Sequence, residues 1–516
     1  MKTTLNFIKE KLLYPFKEDL IFFLLLWILI ALPNCYLQKS NTTYVIYLSL
    51  MYYIIAYFVV VVINLNKKVA LYFKPILLVL LALYTLLNLF CVNVYGCLLS
   101  NDFVQIIAGT NLDEAKEFYS TYITWKVLSL FISTIIISIL IASILPKLKR
   151  IKLGKIWMIA SILMLISIGA TFHNSNIIKE ELINKERWVF SFEEAVDLNN
   201  HLTFPKIEEC DSIHPHQIVI ILGESFSSNH SSLYGYGKIT NPLLSKQVER
   251  GNLIVYNNVT SPCTHTIATF KYLLNTFTIN SQEGKSWYEY TNLIETMKIA
   301  GYHTIWLSNQ SEKGMFENIP SSHAKICDEM FFIDSKNLKY DGNLISQKLP
   351  IKKDKNCIFY HLMGQHGSFK ERYPKEYDFF KGKEYNSNLP HQRNILASYD
   401  NATLYNDFVV NSIMELYKEQ DAVVFYIPDH ALDIFDTDPN YFGHAKNTKA
   451  SLAQGKKIPF MIYVSPLFRK IHSKTYEHMK KTTDRPFCTD KFIYVVMDVS
   501  GYRFKDNNEI NNTLFQ

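Results

Sequence analysis

The 516-residue chain contains no Cys-x-x-Cys pair, no internal repeat and no low-complexity tract. The first absence excludes a thiolate zinc site of the usual spacing, so a metal here would have to rest on carboxylate, imidazole and hydroxyl groups. Cysteine is scarce throughout. Of eight, Cys35, Cys91 and Cys97 lie in or beside apolar stretches, leaving Cys210, Cys263, Cys327, Cys357 and Cys488 in the polar remainder. Five is odd, which excludes a fully paired domain unless one bridge is intermolecular or reaches Cys97. The net charge of +6 is unremarkable and gives no reason to expect nucleic acid as a partner.

Charge is nearly missing from part of the chain. The first 172 residues hold five long apolar stretches, approximately Leu20 to Tyr36, Tyr44 to Ile63, Leu71 to Val92, Val127 to Leu145 and Ile156 to Phe172. Each approaches the ~20 residues that cross ~30 Å of hydrocarbon. Lys74 stands near the start of the third, where a lysine can snorkel to an interface. Lysine and arginine concentrate in the N-terminal segment, the second loop (Lys67, Lys68) and the fourth loop (Lys147 to Lys155), which should be cytoplasmic. Five crossings then export the C-terminal part. The first stretch is longer than a signal-peptide core and lacks a small-residue cleavage site, so it reads as a retained helix.

Residues 173–210 are polar and mixed, with Trp188, Val189, Phe190 and Phe192 as an apolar cluster. A linker at the membrane–water interface and an ordinary surface helix both fit this pattern. Residues 211–516 suffice for one large core. Strand-like runs at Gln217 to Leu222, Leu253 to Asn257, Thr304 to Leu307, Cys357 to Leu362, Ala422 to Ile427 and Pro459 to Val464 alternate with helical ones. The expected fold is an N-terminal five-helix membrane domain followed by an α/β domain, a mostly parallel sheet with helices on both faces.

Two of those runs end in metal-ligating chemistry. Gln217 to Leu222 stops at Gly223-Glu224-Ser225, and Ala422 to Pro428 stops at Asp429-His430. Carboxyl ends of strands are where open α/β sheets bind ligands. His366 and His444 also follow strands in glycine turns, which selects them from fifteen histidines. Ser225 lacks the second glycine of a nucleophile elbow and reads as a turn residue. A better hydroxyl lies in Thr260-Ser261-Pro262-Cys263-Thr264-His265-Thr266, where polar residues lead into a helical pattern. A threonine at that start would sit among backbone N–H groups suited to a phosphate, although an ordinary N-cap fits the same pattern.

Taken together these residues resemble the bacterial phosphoethanolamine transferases of the alkaline phosphatase and sulfatase superfamily. The resemblance runs through Gly223-Glu224-Ser225, Ser232 to Tyr236, Asn257 to Ser261, His361 to Gly367, Tyr399 to Ala402 and Asp429-His430. It implies a periplasmic catalytic domain at 211–516, a transmembrane domain at 1–172 with its N-terminus cytoplasmic, and a multi-pass location in the inner membrane. By the family pattern Glu224, Thr266, Asp429 and His430 bind a catalytic zinc and Thr266 is the nucleophile; spacing from Asn257-Asn258 favours Thr266 over Thr264. His366, the candidate general acid, and His444 match positions that contact the transferred phosphate or a second zinc. Lys313 resembles a substrate-binding lysine, and Thr110-Asn111 with Glu114 a motif near the lipid entrance.

The chain also departs from the pattern. Members commonly read Ser-Asp-His-Gly-Glu where this sequence has Pro428-Asp429-His430-Ala431-Leu432. The lipid A-modifying branch, which includes colistin-resistance enzymes, flanks its nucleophile with disulfides, and no other cysteine stands near Cys263 in this sequence. Thr266-Ile267 and Tyr405-Asn406-Asp407 are more similar to the branch acting on lipopolysaccharide core sugars. The expected activity moves phosphoethanolamine from phosphatidylethanolamine to core heptose or lipid A through a phosphoethanolamine-threonine intermediate. A phosphoglycerol transferase and a catalytically degenerate membrane-tethered binding module are the rivals.

Overall fold

A computed structural model describes residues 12–16, 18–37, 42–95, 98–99, 125–144 and 198–515, with gaps at 212, 282–284, 313–318, 334–339, 348, 350–353, 388–389, 440, 445–447 and 506–513. The described residues divide into two compact units, one holding the N-terminal helices and one holding everything from Leu198 onward.

The first unit contains α1 (Leu20–Leu37), α2 (Thr42–Ile63), α3 (Lys67–Tyr95) and α4 (Trp125–Ile144). Three helices, Leu20–Leu37, Thr42–Ile63 and Lys68–Val92, are long and apolar enough to cross a membrane. The expected fifth span, Ile156 to Phe172, lies outside the described residues. Phe22, Phe23 and Leu26 of α1 pack on Tyr53, Ala56, Tyr57 and Val60 of α2. Outward positions such as Ile28, Phe58, Val62, Leu71, Leu80 and Ile136 are apolar and exposed. A surface of that kind suits hydrocarbon and not water. Lys74 does more than snorkel, because its ammonium pairs with Asp19, which also accepts from Asn64 Nδ2 at 3.0 Å. One carboxylate thereby ties α1, α2 and α3 together.

The second unit is built on a seven-stranded sheet. Its strands are β1 (Gln217–Gly223), β2 (Leu253–Tyr256), β3 (His303–Ser308), β4 (Glu329–Phe332), β5 (Asn356–His361), β6 (Ala422–Pro428) and β7 (Phe460–Val464). They lie in the order β2-β7-β6-β1-β5-β3-β4, with β7 antiparallel to both neighbours and the other pairs parallel. The sheet is therefore mixed. The reversal has a local reason: after β6 the chain stays at the edge where β6 ends, so β7 starts from that edge, with Met461 opposite Tyr426 and Val464 opposite Val423. Strand β4 escapes a sequence reading because it is a four-residue edge strand whose Met330 and Phe331 are exposed.

Strand β1 is buried at every position. Its alternate residues serve two cores: Ile218, Ile220 and Leu222 join Val423, Phe425 and Ile427 on one face, and Val219 and Ile221 join Val424 and Tyr426 on the other. Helices cover both faces. α6 (Thr266–Leu273) and α9 (Phe492–Ser500) contribute Phe270, Val495 and Val496 to the first core; α8 (Pro390–Leu416) contributes Val409, Val410 and Ile413 to the second. Helices α5 (Pro242–Glu249) and α7 (Gly342–Ile345) complete the elements that matter below. Cys210, Cys327, Cys357 and Cys488 carry free thiols.

The Tyr405-Asn406-Asp407 segment is framework. Tyr405 OH accepts from Gly342 N at 3.0 Å, Asn406 accepts from Tyr426 OH at 2.9 Å, and Asp407 accepts from Leu243 and Leu244 N at 2.8 and 2.9 Å. Asp407 thus caps α5 from another helix, since the Asn241 side chain at the N-cap makes no capping bond. Asp407→Ala leaves two amides at that buried end without an acceptor and is expected to cost about 1–3 kcal/mol. Thermal unfolding should show a Tm several degrees lower, while exposed Lys246→Ala on the same helix leaves it unchanged.

Candidate metal centre and nucleophile

The register of two strands creates the site. β1 and β6 pair with Gly223 opposite Pro428, so the next residues, Glu224 and Asp429, leave the sheet side by side. Gly223 has to be glycine, because a Cβ there would lie 2.7 Å from Tyr426 OH. Asp429 N donates to Gly223 O at 3.1 Å, and Asp429 Oδ1 accepts from Ser225 N at 3.2 Å and His430 N at 2.7 Å. Ser225 adopts φ 57°, a left-handed turn conformation, and its hydroxyl donates to Glu224 Oε1 at 2.7 Å. The sequence reading as a turn residue omitted that second bond.

His430 completes the cluster. Its Nδ1 lies 3.0 Å from Ala431 O, and because a carbonyl only accepts, Nδ1 carries the proton of that bond. Nε2 then faces Glu224 Oε1 at 3.4 Å and Asp429 Oδ2 at 3.5 Å. Thr266, the first residue of α6, brings its hydroxyl to 3.2 Å from Glu224 Oε2 and 3.5 Å from His430 Nε2. Thr264 is directed elsewhere, with Oγ1 3.4 Å from His265 Nδ1 and its methyl against Gly455. Helix α6 also aims its first-turn amides at this point, a ready cradle for anionic oxygen.

The electrostatics follow from burying two carboxylates together. Burial alone would raise the Glu224 carboxyl, but bonding and charge from His430, the charge of His366 and the Ser225 hydroxyl hold it well below the usual carboxylate range. Burial and the adjacent Glu224 charge push Asp429 the other way, upward. Burial works against a charged His430, yet Asp429 and Glu224 prevail and raise it to about 9. Positive charge is favoured at the centre of this group.

A metal ion fits these residues. Glu224, Asp429 and His430 each offer a ligand atom within 4.8 Å of the others, and all three are buried. Asp429 Oδ2 is buried without a hydrogen-bond partner. The set is two carboxylates, an imidazole whose second nitrogen is oriented by a carbonyl, and a hydroxyl, with no thiolate; such an oxygen and nitrogen set suits zinc.

Other expected residues fall around this centre or beyond view. The His444 ring lies tilted against that of His430 with centroids 4.8 Å apart, and burial together with the neighbouring histidines pushes its pKa well below the usual imidazole value. His366 lies close enough for its charge to act on Glu224, and its Nδ1 is buried with no partner. Lys313, Asn111 and Glu114 lie outside the described residues. Sequence reasoning missed Gln310, whose Nε2 reaches Glu224 Oε2 at 3.4 Å and Leu362 O at 2.8 Å. It also missed His265, which stands between Thr264 and Thr266 with its ring 6.3 Å from that of His444. A glutamine and a histidine in polar loops carry no periodic signal; only their adjacency to Lys313 and Thr266 marked them.

Known proteins share this architecture. A family model described as Sulfatase matches residues 216–501. The chain is 25% identical to the phosphoethanolamine transferase EptC of Escherichia coli O18:K1:H7 over 453 residues, covering 80% of this chain and 77% of that protein. The integral membrane protein lipooligosaccharide phosphoethanolamine transferase A (EptA) from Neisseria meningitidis shares its fold with a TM-score of 0.66 at 18% identity, over 97% of each chain. The C-terminal periplasmic domain of EcEptC from Escherichia coli in complex with Zn matches with a TM-score of 0.52 at 24% identity, over 61% of this chain and 91% of that one.

Full-length protein in detergent is expected to bind zinc. Asp429→Asn and His430→Ala should each weaken that binding by about a hundredfold or more, since groups that merely support a ligand are already worth ~10–100-fold. Competition with a chromophoric chelator measures this; undiminished affinity in both variants would place the metal elsewhere.

Proposed function

The chain belongs to the Sulfatase family, and from that premise we propose that it is a membrane-anchored, zinc-dependent transferase that moves phosphoethanolamine from phosphatidylethanolamine to lipopolysaccharide. The observation that carries this reading is the Thr266 hydroxyl, set at a helix start against Glu224 and His430 and beside Asp429. The names of relatives support the transferred group and the class of acceptor.

Zinc held by Glu224, Asp429, His430 and Thr266 would supply the acidification that turns a threonine hydroxyl into a competent nucleophile. Thr266 Oγ1 then attacks the phosphorus of phosphatidylethanolamine, and the bond from phosphorus to the diacylglycerol oxygen breaks. The α6 amides hold the phosphoryl oxygens, and His366 gives the departing diacylglycerol oxygen its proton. Phosphoethanolamine remains esterified to Thr266. A core heptose hydroxyl or lipid A phosphate attacks next, a hydroxyl giving its proton to His366; the bond from phosphorus to Thr266 Oγ1 breaks and the threonine is restored. His366 and His444 contact the phosphoryl group or take a second zinc, and Lys313, Asn111 and Glu114 bind the substrate. Residues 1–172 form a five-span domain in the bacterial inner membrane and 211–516 a periplasmic domain; the interfacial linker proposed for 173–210 ends before Leu198, which belongs with the periplasmic domain. Both substrates are lipids, and keeping their chains in the bilayer avoids a cost of ~0.8 kcal/mol per CH2 exposed to water.

Incubation of the detergent-solubilised protein with phosphatidylethanolamine should yield a phosphoethanolamine adduct on Thr266 by peptide mass spectrometry, absent from Thr266→Ala. A zinc-loaded wild type with neither adduct nor released diacylglycerol would overturn the assignment of donor and nucleophile. Phosphatidylglycerol run in parallel distinguishes the phosphoglycerol reading.

A further inference from the structure

The edge of the sheet that carries Glu224 holds another buried carboxylate, which the reaction above does not use. Asp341, 5% exposed, immediately precedes α7. Its Oδ1 accepts from Asn309 Nδ2 at 2.7 Å and Met363 N at 2.8 Å, and its Oδ2 accepts from Gly364 N at 2.8 Å. These donors belong to the segments that follow β3 and β5. Both segments lean on Glu224. Gly364 has φ +47°, and a Cβ there would lie 2.8 Å from Glu224 O and 2.9 Å from Glu224 N, so the turn sits directly on the Glu224 backbone. Gln365 N donates to Glu224 O at 3.0 Å, and His366 N to Met363 O at 3.0 Å. On the other side Gln310, next to Asn309, bonds both Glu224 Oε2 and Leu362 O. Asp341 itself is held by α7, whose Gly342 N donates to Tyr405 of α8 at 3.0 Å.

We propose that Asp341 is a positioning residue of the transfer reaction, a clamp whose two oxygens fix the 362–366 turn and the Asn309-Gln310 segment so that Glu224 and His366 are presented in register. The proposal rests on the reading of Glu224 and His366 as parts of the reaction centre. A carboxylate is required because three N–H donors converge on two acceptor oxygens. An amide turned to satisfy Asn309 and Met363 would point its own N–H2 at Gly364 N–H, losing one bond and adding a repulsion. The expected consequence is a displaced site on an intact fold.

The test compares Asp341→Asn with Asp407→Asn, a buried carboxylate that likewise accepts from two consecutive backbone amides but caps α5. In full-length protein, Asp341→Asn is expected to lower kcat for diacylglycerol release from phosphatidylethanolamine by about ten- to a hundredfold. KM should stay within about twofold, and amide exchange at Met363 to His366 should quicken. Asp407→Asn should lower Tm and leave kcat and that exchange unchanged. The clamp is overturned if kcat falls equally in both variants, if Asp341→Asn keeps wild-type kcat, or if exchange at 363–366 does not change. Asn309→Ala, which removes one donor, carries the same readouts with a smaller drop if Asp341→Asn does not fold. Should wild type release no diacylglycerol, the transferase reading fails, and the exchange measurement still decides the clamp.

Discussion

Two carboxylates are buried side by side because two neighbouring parallel strands end in step, and the rest of the C-terminal unit depends on that juxtaposition. Pairing of Gly223 with Pro428 sets Glu224 and Asp429 next to each other inside the protein. Taking an ion out of water costs several kcal/mol even after relaxation, and a like charge nearby adds to that cost. The surrounding groups answer this cost one by one: the Ser225 hydroxyl and amide, the His430 amide, the His430 ring and the Thr266 hydroxyl all turn toward the pair. None of these neutralises two negative charges, so the arrangement selects for a cation at its centre. A one-residue slip of either strand would send its carboxylate to the opposite face. The uniformly buried, β-branched character of β1 and β6 therefore protects chemistry as well as stability.

That origin explains which parts were legible in the sequence. Apolar runs that stop at glycine or proline betray buried strands, so the ends carrying Glu224 and Asp429-His430 could be read from pattern alone. Thr266 is harder to read, because hydroxyls at helix starts are common; spacing from Asn257-Asn258 favours it within the family pattern, and the helix start then separates it from Thr264. Gln310 and Asp341 carry no periodic signal, since residues that act through loops have no period to follow. The direction of β7 was invisible for a related reason: hydrophobic pattern reports burial, and direction is decided by where the preceding loop leaves the chain. Tyr405-Asn406-Asp407, read as a marker of one branch of relatives, turned out to tie α5, α7 and β6 to α8.

The altered segment after His430 shows how such a site tolerates change. Ala431 contributes a backbone carbonyl to His430 Nδ1, a bond that any side chain at this position would permit. Leu432 is buried among Phe369, Tyr399 and Ile434. Phe369 lies three residues past His366, and the Tyr399 hydroxyl donates to Ser225 O at 2.8 Å, so Leu432 braces both turns that flank the reaction centre. Where the family resemblance leads one to expect a carboxylate, this chain has an apolar contact that supports the same loops.

The N-terminal unit obeys the same rule with a different solvent. The Lys74–Asp19 pair with Asn64 ties the start of α1 and the end of α2 to the N-terminal part of α3, and the helix faces beyond it carry exposed Ile, Leu, Val and Phe. Polar groups are expensive in hydrocarbon unless paired, so charge gathers at the ends and the middle is left to lipid. In the C-terminal unit, buried carboxylates sit where strand ends, helix starts and converging amides can hold them, as at Glu224 with Asp429, at Asp341 and at Asp407. In both units a paired charge marks a point where several elements meet, and its partners fix how closely they do so.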